Sequence, residues 1–279
     1  MSFRAALVQM CSGVDMARNL RDASGMIREA AAQGAHYVLT PEVTNIVEAD
    51  KARTKAVVAM EAHDISVAGF SALAAELGIW LHAGSLALRV SADKLVNRSL
   101  VFSPDGKIAA RYDKIHLFDV DMPSGERIRE SDTFASGGEA VVTQLPWGKL
   151  GLSICYDMRF PALYTTLATA GASFLAVPAA FTVPTGRAHW HVLVRSRAIE
   201  TGSFVFAAAQ GGHHECGRHT FGHSLAVNPW GEVIAELETE PGIAVFDVDE
   251  DLVKRDRERI PALKNARPFN LKSAAGVIN

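Results

Sequence analysis

Cys155 is the side chain whose setting first suggests chemistry. It follows the apolar run Gly151-Leu152-Ser153-Ile154 and precedes Tyr156-Asp157-Met158-Arg159-Phe160-Pro161, beyond which helical spacing begins at Leu163. A thiol on a strand-to-helix turn lies at a sheet edge, beside backbone N–H groups and a helix start. Those groups lower a thiol pKa and can hold an oxyanion. A single cysteine after an apolar strand is also commonly a buried structural residue. Glu42 closes a strand directly after Pro41, a place where a carboxylate is often simply exposed. Lys114 follows Ala110-Arg111-Tyr112-Asp113 and opens Ile115-His116-Leu117-Phe118. Taken alone it reads as a solvated charge.

The elements around these residues alternate. Phe3 to Gln9 reads as a buried strand, and Met16, Leu20, Ala23, Ile27, Ala30 and Ala31 follow helical spacing up to a glycine stop at Gly34. His36 to Leu39 is a second strand, a helix runs from Ile65 to Leu77, and Ile79 to Leu88 returns as strand. Turns at Ser103-Pro104-Asp105-Gly106 and at Pro146-Trp147-Gly148-Lys149 each join a pair of antiparallel runs, the second of them ending in Leu150 to Cys155, and Asn228-Pro229-Trp230-Gly231 is a further turn. A helix over Ala188 to Thr201 precedes strands at Val205 to Ala209, Leu225 to Val227 and Val233 to Leu237. Ile243 to Val248 is a last strand, followed by a charged helix and a tail from about residue 256. This mixture predicts an α/β fold of sheets covered by helices in one domain over residues 1–279.

Composition narrows the function class. The 279 residues are 48% hydrophobic and 21% charged, with a formal net charge of -3. That charge gives no reason to expect nucleic acid or an anionic membrane as partner, and no run approaches the ~18 apolar residues of a membrane span. The three cysteines are an odd and sparse set, so a disulfide framework is not expected. No secretory signal is evident at the start. Reduced thiols in a cytoplasmic protein that handles small molecules or copies of itself are the expectation.

The segments Leu39-Thr40-Pro41-Glu42, Tyr112-Asp113-Lys114-Ile115-His116-Leu117-Phe118 and Gly151-Leu152-Ser153-Ile154-Cys155-Tyr156-Asp157-Met158-Arg159-Phe160-Pro161 together resemble the signatures of the nitrilase (carbon–nitrogen hydrolase) superfamily. The resemblance covers nearly the whole chain. It implies a four-layer α-β-β-α sandwich that pairs into a homodimer or higher homo-oligomer, and a cofactor-free amidase. It further implies a triad of Glu42, Lys114 and Cys155, with the backbone N–H of Tyr156 assisting at the oxyanion. A second glutamate positions the lysine in the branch this chain most resembles, and Glu130 within Arg129-Glu130-Ser131-Asp132 matches it; the alternative for Glu130 is a solvated loop charge.

Ala188-His189-Trp190 and Leu193-Val194-Arg195-Ser196-Arg197 look like the helix shared by the ω-amidases and the deaminated glutathione amidases. Ala207-Ala208-Ala209-Gln210-Gly211-Gly212-His213-His214-Glu215 looks closer to the second. Both substrates carry an α-keto acid, so the resemblance implies a small polar pocket with a cation for the carboxylate. Arg159 and Arg187 are the candidates. Arg159 is equally a possible ion-pair partner for Asp157, and Arg187 stands where proline usually precedes Ala-His-Trp in the family. Phe181 is read either as a pocket wall or as an apolar loop anchor. Rival readings are a zinc site among His213, His214, His219 and His223, a papain-like pairing of Cys155 with His116, a nitrilase or N-carbamyl amidohydrolase, and a catalytically silent interaction protein of the same fold.

Overall fold

Strand β1 (Ser2–Gln9) sets out the layering of the molecule. Successive side chains of a strand point to opposite faces. Ala5 and Leu7 accordingly enter one core while Ala6 and Val8 enter another. Strand β2 (Tyr37–Leu39) repeats the division, with Tyr37 and Leu39 on the first side and Val38 on the second. Near-continuous apolar runs are what a sheet covered on both faces requires.

The computed structural model describes residues 2–121, 125 and 127–272. After β1 and β2 come β3 (Trp80–Arg89), β4 (Leu95–Phe102) and β5 (Ile108–Asp113), then a small hairpin of β6 (Asp119–Asp121) and β7 (Arg127–Arg129). Strands β8 (Val142–Leu145), β9 (Gly148–Leu152), β10 (Ala172–Ala176) and β11 (Phe204–Ala207) follow, then a second hairpin of β12 (Gly211–His213) and β13 (His219–Phe221). The set ends with β14 (Leu225–Val227), β15 (Val233–Glu236) and β16 (Gly242–Asp249). Two six-stranded sheets result, in the orders β16-β1-β2-β3-β4-β5 and β15-β14-β11-β10-β9-β8. The central strands β1, β2 and β3 are parallel, as are β9, β10 and β11, while the flanking pairs are antiparallel.

Aromatic contacts lock the sheets face to face: Phe3 meets Phe174 edge-on at 5.4 Å, and Tyr37 lies 5.8 Å from Phe206. Helices α1 (Met16–Ala32) and α3 (Ile65–Leu77) cover the other face of the first sheet with Ala23, Ile27, Phe70 and Leu73, and α2 (Lys51–Val57) lies between them in sequence. Helices α4 (Pro161–Thr169) and α5 (Val183–Thr201) bring Leu163, Leu167, Trp190 and Val194 to the second. The order is α-β-β-α, as expected from the family resemblance.

Several boundaries differ from the sequence reading. Helix α5 starts at Val183 rather than Ala188, because Pro184 falls in its first turn, where a missing N–H is no loss. Gly186 inside that helix reflects packing: a Cβ there would lie 2.2 Å from the Phe221 ring. Strand β9 ends at Leu152, so Cys155 opens a short 3₁₀ turn, Cys155–Arg159, instead of closing a strand. Helix α2 and the two small hairpins have no regular apolar period and were not expected. At the C-terminus, α6 (Asp251–Arg259) and α7 (Ala262–Asn265) continue past residue 256, so the tail begins after Asn265; its part over residues 273–279 lies outside the described residues.

Candidate active site

Three connections leaving the sheets meet in one cavity of about 350 Å³, lined among others by Glu42, Asn97, Lys114, Glu130, Cys155, Tyr156, Arg159, Phe181 and Arg218. Glu42 and Cys155 follow the carboxyl ends of the parallel strands β2 and β9, the end of an open α/β sheet where ligands commonly bind. A larger groove of about 730 Å³ beside α5, α6 and α7 holds none of these side chains.

Glu42 is carried by a turn pressed tightly onto β3. The Ser85 N–H donates to Pro41 O at 3.1 Å, and a Cβ on Gly84 would come within 1.9 Å of Thr40 O, so only glycine permits the approach. The next residue, Val43, adopts φ +47°, a left-handed conformation that is costly for a β-branched side chain. The Ser85 hydroxyl holds it by accepting the Val43 N–H at 2.9 Å. Gln210 completes the seat, donating to Glu42 O at 3.0 Å.

Lys114 continues from β5. Its N–H donates to Asn97 O and its carbonyl accepts from Gly137, which fixes the backbone. Its ammonium donates to Glu42 Oε1 at 2.8 Å and to Glu130 Oε2 at 2.9 Å. Asn97 donates to the same Glu42 oxygen at 2.9 Å, and the Phe118 N–H donates to Glu130 Oε2 at 2.6 Å. Glu42 and Lys114 are both almost fully buried. Burial alone would push the Lys114 ammonium down, but the Glu130 and Glu42 carboxylates and Cys155 outweigh it and hold its pKa well above the usual range. It is therefore a fixed cation.

Cys155 itself has φ +48°. Its N–H donates to Pro178 O at 2.8 Å, and Glu42 and Ala180 line the same cavity. Burial raises the thiol pKa well above its ordinary value, the Glu42 charge raises it further, and Lys114 pulls it back. The resting sulfur is a thiol with a carboxylate beside it and a cation nearby. That set can take a proton from sulfur, stabilise an oxyanion and return the proton to a leaving group.

Asp157 holds this turn and was missed as a positioning residue. It is fully buried and accepts from the Ile154 N–H (2.8 Å), the Tyr112 hydroxyl (2.7 Å), the His116 N–H (2.9 Å) and His116 Nδ1 (2.7 Å). An asparagine would replace one acceptor by a donor and strand two of those donors. Asp157→Asn is expected to destabilise the fold by about 2–4 kcal/mol, read as a lower urea midpoint at unchanged m-value.

These contacts also decide the remaining candidates. Arg159 does not pair with Asp157, whose oxygens are already committed; it lines the cavity and lies 5.9 Å from the Tyr156 ring and 5.6 Å from that of Phe181. Phe181 is both wall and anchor, packing at 4.9 Å on the buried Trp190. Arg187 is exposed on α5 and does not line the cavity, so its candidacy is corrected: the helix starts early enough that this position turns outward. Arg218, in the β12–β13 connection, lines the cavity instead. Neither Arg159 nor Arg218 pairs with a carboxylate among the described residues. His116 is committed to Asp157 and stacks on Phe160 at 3.6 Å, away from the cavity lining. The four histidines considered for zinc do not converge: His213 faces His219, and His214 is buried between Ser12 O and the Thr220 hydroxyl.

Known proteins share this architecture. The chain is 37% identical over 265 residues to the deaminated glutathione amidase of Yersinia enterocolitica, covering 94% of this chain and 92% of that one. It is 38% identical over 266 residues to the omega-amidase NIT2 of Homo sapiens, covering 95% of each. The crystal structure of the C. elegans NitFhit protein superposes with a TM-score of 0.90 at 35% identity, over 95% of this chain and 65% of that longer one. The family model for carbon–nitrogen hydrolases matches residues 4–258, and the chain accordingly belongs to that family and is an amide-hydrolysing enzyme.

Proposed function

We propose that the enzyme hydrolyses the amide of a small α-keto acid, of the deaminated glutathione type, through a Cys155 thioester. The observation that carries this reading is the pair of uncompensated guanidinium groups, Arg159 and Arg218, in the cavity that also holds Glu42, Lys114 and Cys155. A carboxylate-bearing substrate would bind there by charge-assisted, bidentate hydrogen bonds.

The steps follow from the donors in place. Glu42 takes the proton from Sγ as sulfur bonds to the amide carbon, and the carbonyl oxygen becomes an oxyanion. Lys114 and the backbone N–H of Tyr156 donate to it. Collapse breaks the C–N bond, and Glu42 passes its proton to the departing nitrogen. Glu42 then deprotonates a water that attacks the thioester, the C–S bond breaks, and the thiol is restored. Glu130 holds Lys114 in position throughout.

The test is a substrate panel of α-ketoglutaramate, deaminated glutathione, N-carbamyl amino acids, simple nitriles and a neutral amide, run on wild type and Arg218→Ala. The variant should raise KM for the keto-acid amides by about 10–100-fold, the worth of a hydrogen bond to a charged group, with KM for the neutral amide unchanged. Equal losses on both classes would remove Arg218 as carboxylate anchor.

We infer also that the chain is one domain and works as a homodimer in a reducing, cytoplasmic setting. The three cysteines are free. Val192 and Ile199, seven apart on α5, are 66% and 55% exposed, and Trp230, Val233 and Ile234 add further exposed apolar surface on the β14–β15 hairpin. An apolar face of that kind supports burial against a second copy.

A further inference from the structure

Outside the catalytic cavity, one group of side chains has the composition and spacing of a metal site. His191 on α5, His223 after β13 and Glu236 on β15 bring one ligand atom each within 4.8 Å of the others. His191 Nε2 lies 2.8 Å and His223 Nδ1 3.0 Å from the same oxygen, Glu236 Oε1. We propose that His191, His223 and Glu236 bind a divalent zinc ion, with a fourth position open to water.

Tetrahedral zinc with bonds of ~2.0–2.1 Å sets its ligand atoms ~3.3 Å apart. The two separations to Glu236 Oε1 would open by a few tenths of an ångström, and the two imidazole nitrogens, now within 4.8 Å of each other, would settle at that same spacing. Two imidazoles and one carboxylate suit zinc in both charge and ligand type. The ion takes the place of the hydrogen between each imidazole and Glu236, and each ring binds as the neutral tautomer whose single hydrogen sits on its other nitrogen.

The backbone holds His223 in place for this. Three non-glycine residues have positive φ among the described residues: Val43, Cys155 and His223, the last at +54°. Val43 and Cys155 belong to the catalytic cavity, and strain of this kind persists where surrounding structure enforces it. At His223 the fully buried Trp190 donates its indole N–H to the carbonyl at 2.7 Å, and the N–H donates to Glu238 O at 2.8 Å. The Phe221 ring stacks on the imidazole at 4.3 Å and restricts its rotation. A merely solvated histidine needs none of these contacts. Bound zinc would tie α5 to the β14–β15 hairpin.

The experiment titrates the chelator-treated full chain with zinc chloride by calorimetry, in a Cys155→Ala background so that the catalytic thiol contributes nothing. One zinc per chain is expected. His223→Asn, chosen because asparagine tolerates positive φ, and His191→Gln should each weaken binding by more than about tenfold, since even an outer-shell partner is worth 10–100-fold. Co²⁺ bound to the same protein should lack a thiolate charge-transfer band. Absence of saturable binding would overturn the proposal. So would binding unchanged in both histidine variants, or a thiolate band that places the metal on Cys11 or Cys216.

Discussion

Cys155→Ala is expected to abolish turnover, by about 10⁶ in kcat as for the loss of other catalytic nucleophiles, while the protein stays folded. The side chain shrinks by one sulfur atom at a position 8% exposed, and alanine meets the same φ of +48° at the same cost as cysteine. The backbone there is held by Pro178 O and by Asp157, neither of which depends on the thiol. Lys114 keeps both carboxylate partners. The variant should therefore bind substrate and form no acyl adduct detectable by intact mass. Residual hydrolysis with a normal KM would transfer the nucleophile's role to another group and end the proposed mechanism.

The two halves of that prediction come from different parts of the molecule. Folding stability resides in the apolar layers, where Phe3, Tyr37, Phe174 and Phe206 hold the sheets together. The proposed reactivity resides in a charged set at the rim, one ammonium between two carboxylates. Removing one partner from such a buried set ordinarily costs several kcal/mol, because a charge is left unpaired. Here Glu130 and Glu42 share one lysine, so loss of either leaves Lys114 paired. That redundancy makes Glu42 accessible to a kinetic test without unfolding the protein.

The layers and the meeting of the proposed site residues were legible in the sequence to different depths. The alternation in β1 and β2 follows directly from the pleat, and the turns at Ser103-Pro104-Asp105-Gly106 and Asn228-Pro229-Trp230-Gly231 carry their own chemistry. Glu42, Lys114, Cys155 and Glu130 were found through motifs, since no local rule brings side chains 72 residues apart to 2.8 Å. Residues whose role depends on packing were not legible. Arg187 and Arg218 look alike in sequence, and only the early start of α5 and the reach of the β12–β13 connection separate them. Asp157 reads as an ordinary turn acid until Tyr112 and His116 arrive from the other sheet's connection. His223 was grouped with His213, His214 and His219 because the residues that meet it, His191 and Glu236, sit on a helix and on a strand 45 residues later.

Glu42→Gln is the sharper of the two large-effect variants, because it separates two properties of the sulfur. Burial raises the Cys155 thiol most, the Glu42 charge raises it further, and Lys114 lowers it. Glutamine removes a raising charge and leaves the lowering cation, so the thiol pKa falls in the variant. The fraction present as thiolate at a given pH therefore rises, and the midpoint for alkylation by a small iodoacetamide-like electrophile should move to lower pH. Amide hydrolysis should move the opposite way. Without a carboxylate, no group returns a proton to the departing nitrogen or activates the deacylating water, and kcat should fall by at least about 10⁴, the upper range for one general acid–base group used in both halves of the cycle. The measurement is a pair of pH profiles on one sample, alkylation followed by mass and hydrolysis followed by ammonia release. A more easily alkylated cysteine that no longer turns over identifies Glu42 as the proton carrier. An alkylation midpoint that moves upward would mean that Glu42 does not stand beside the sulfur as a carboxylate, and its assignment as proton carrier would fall.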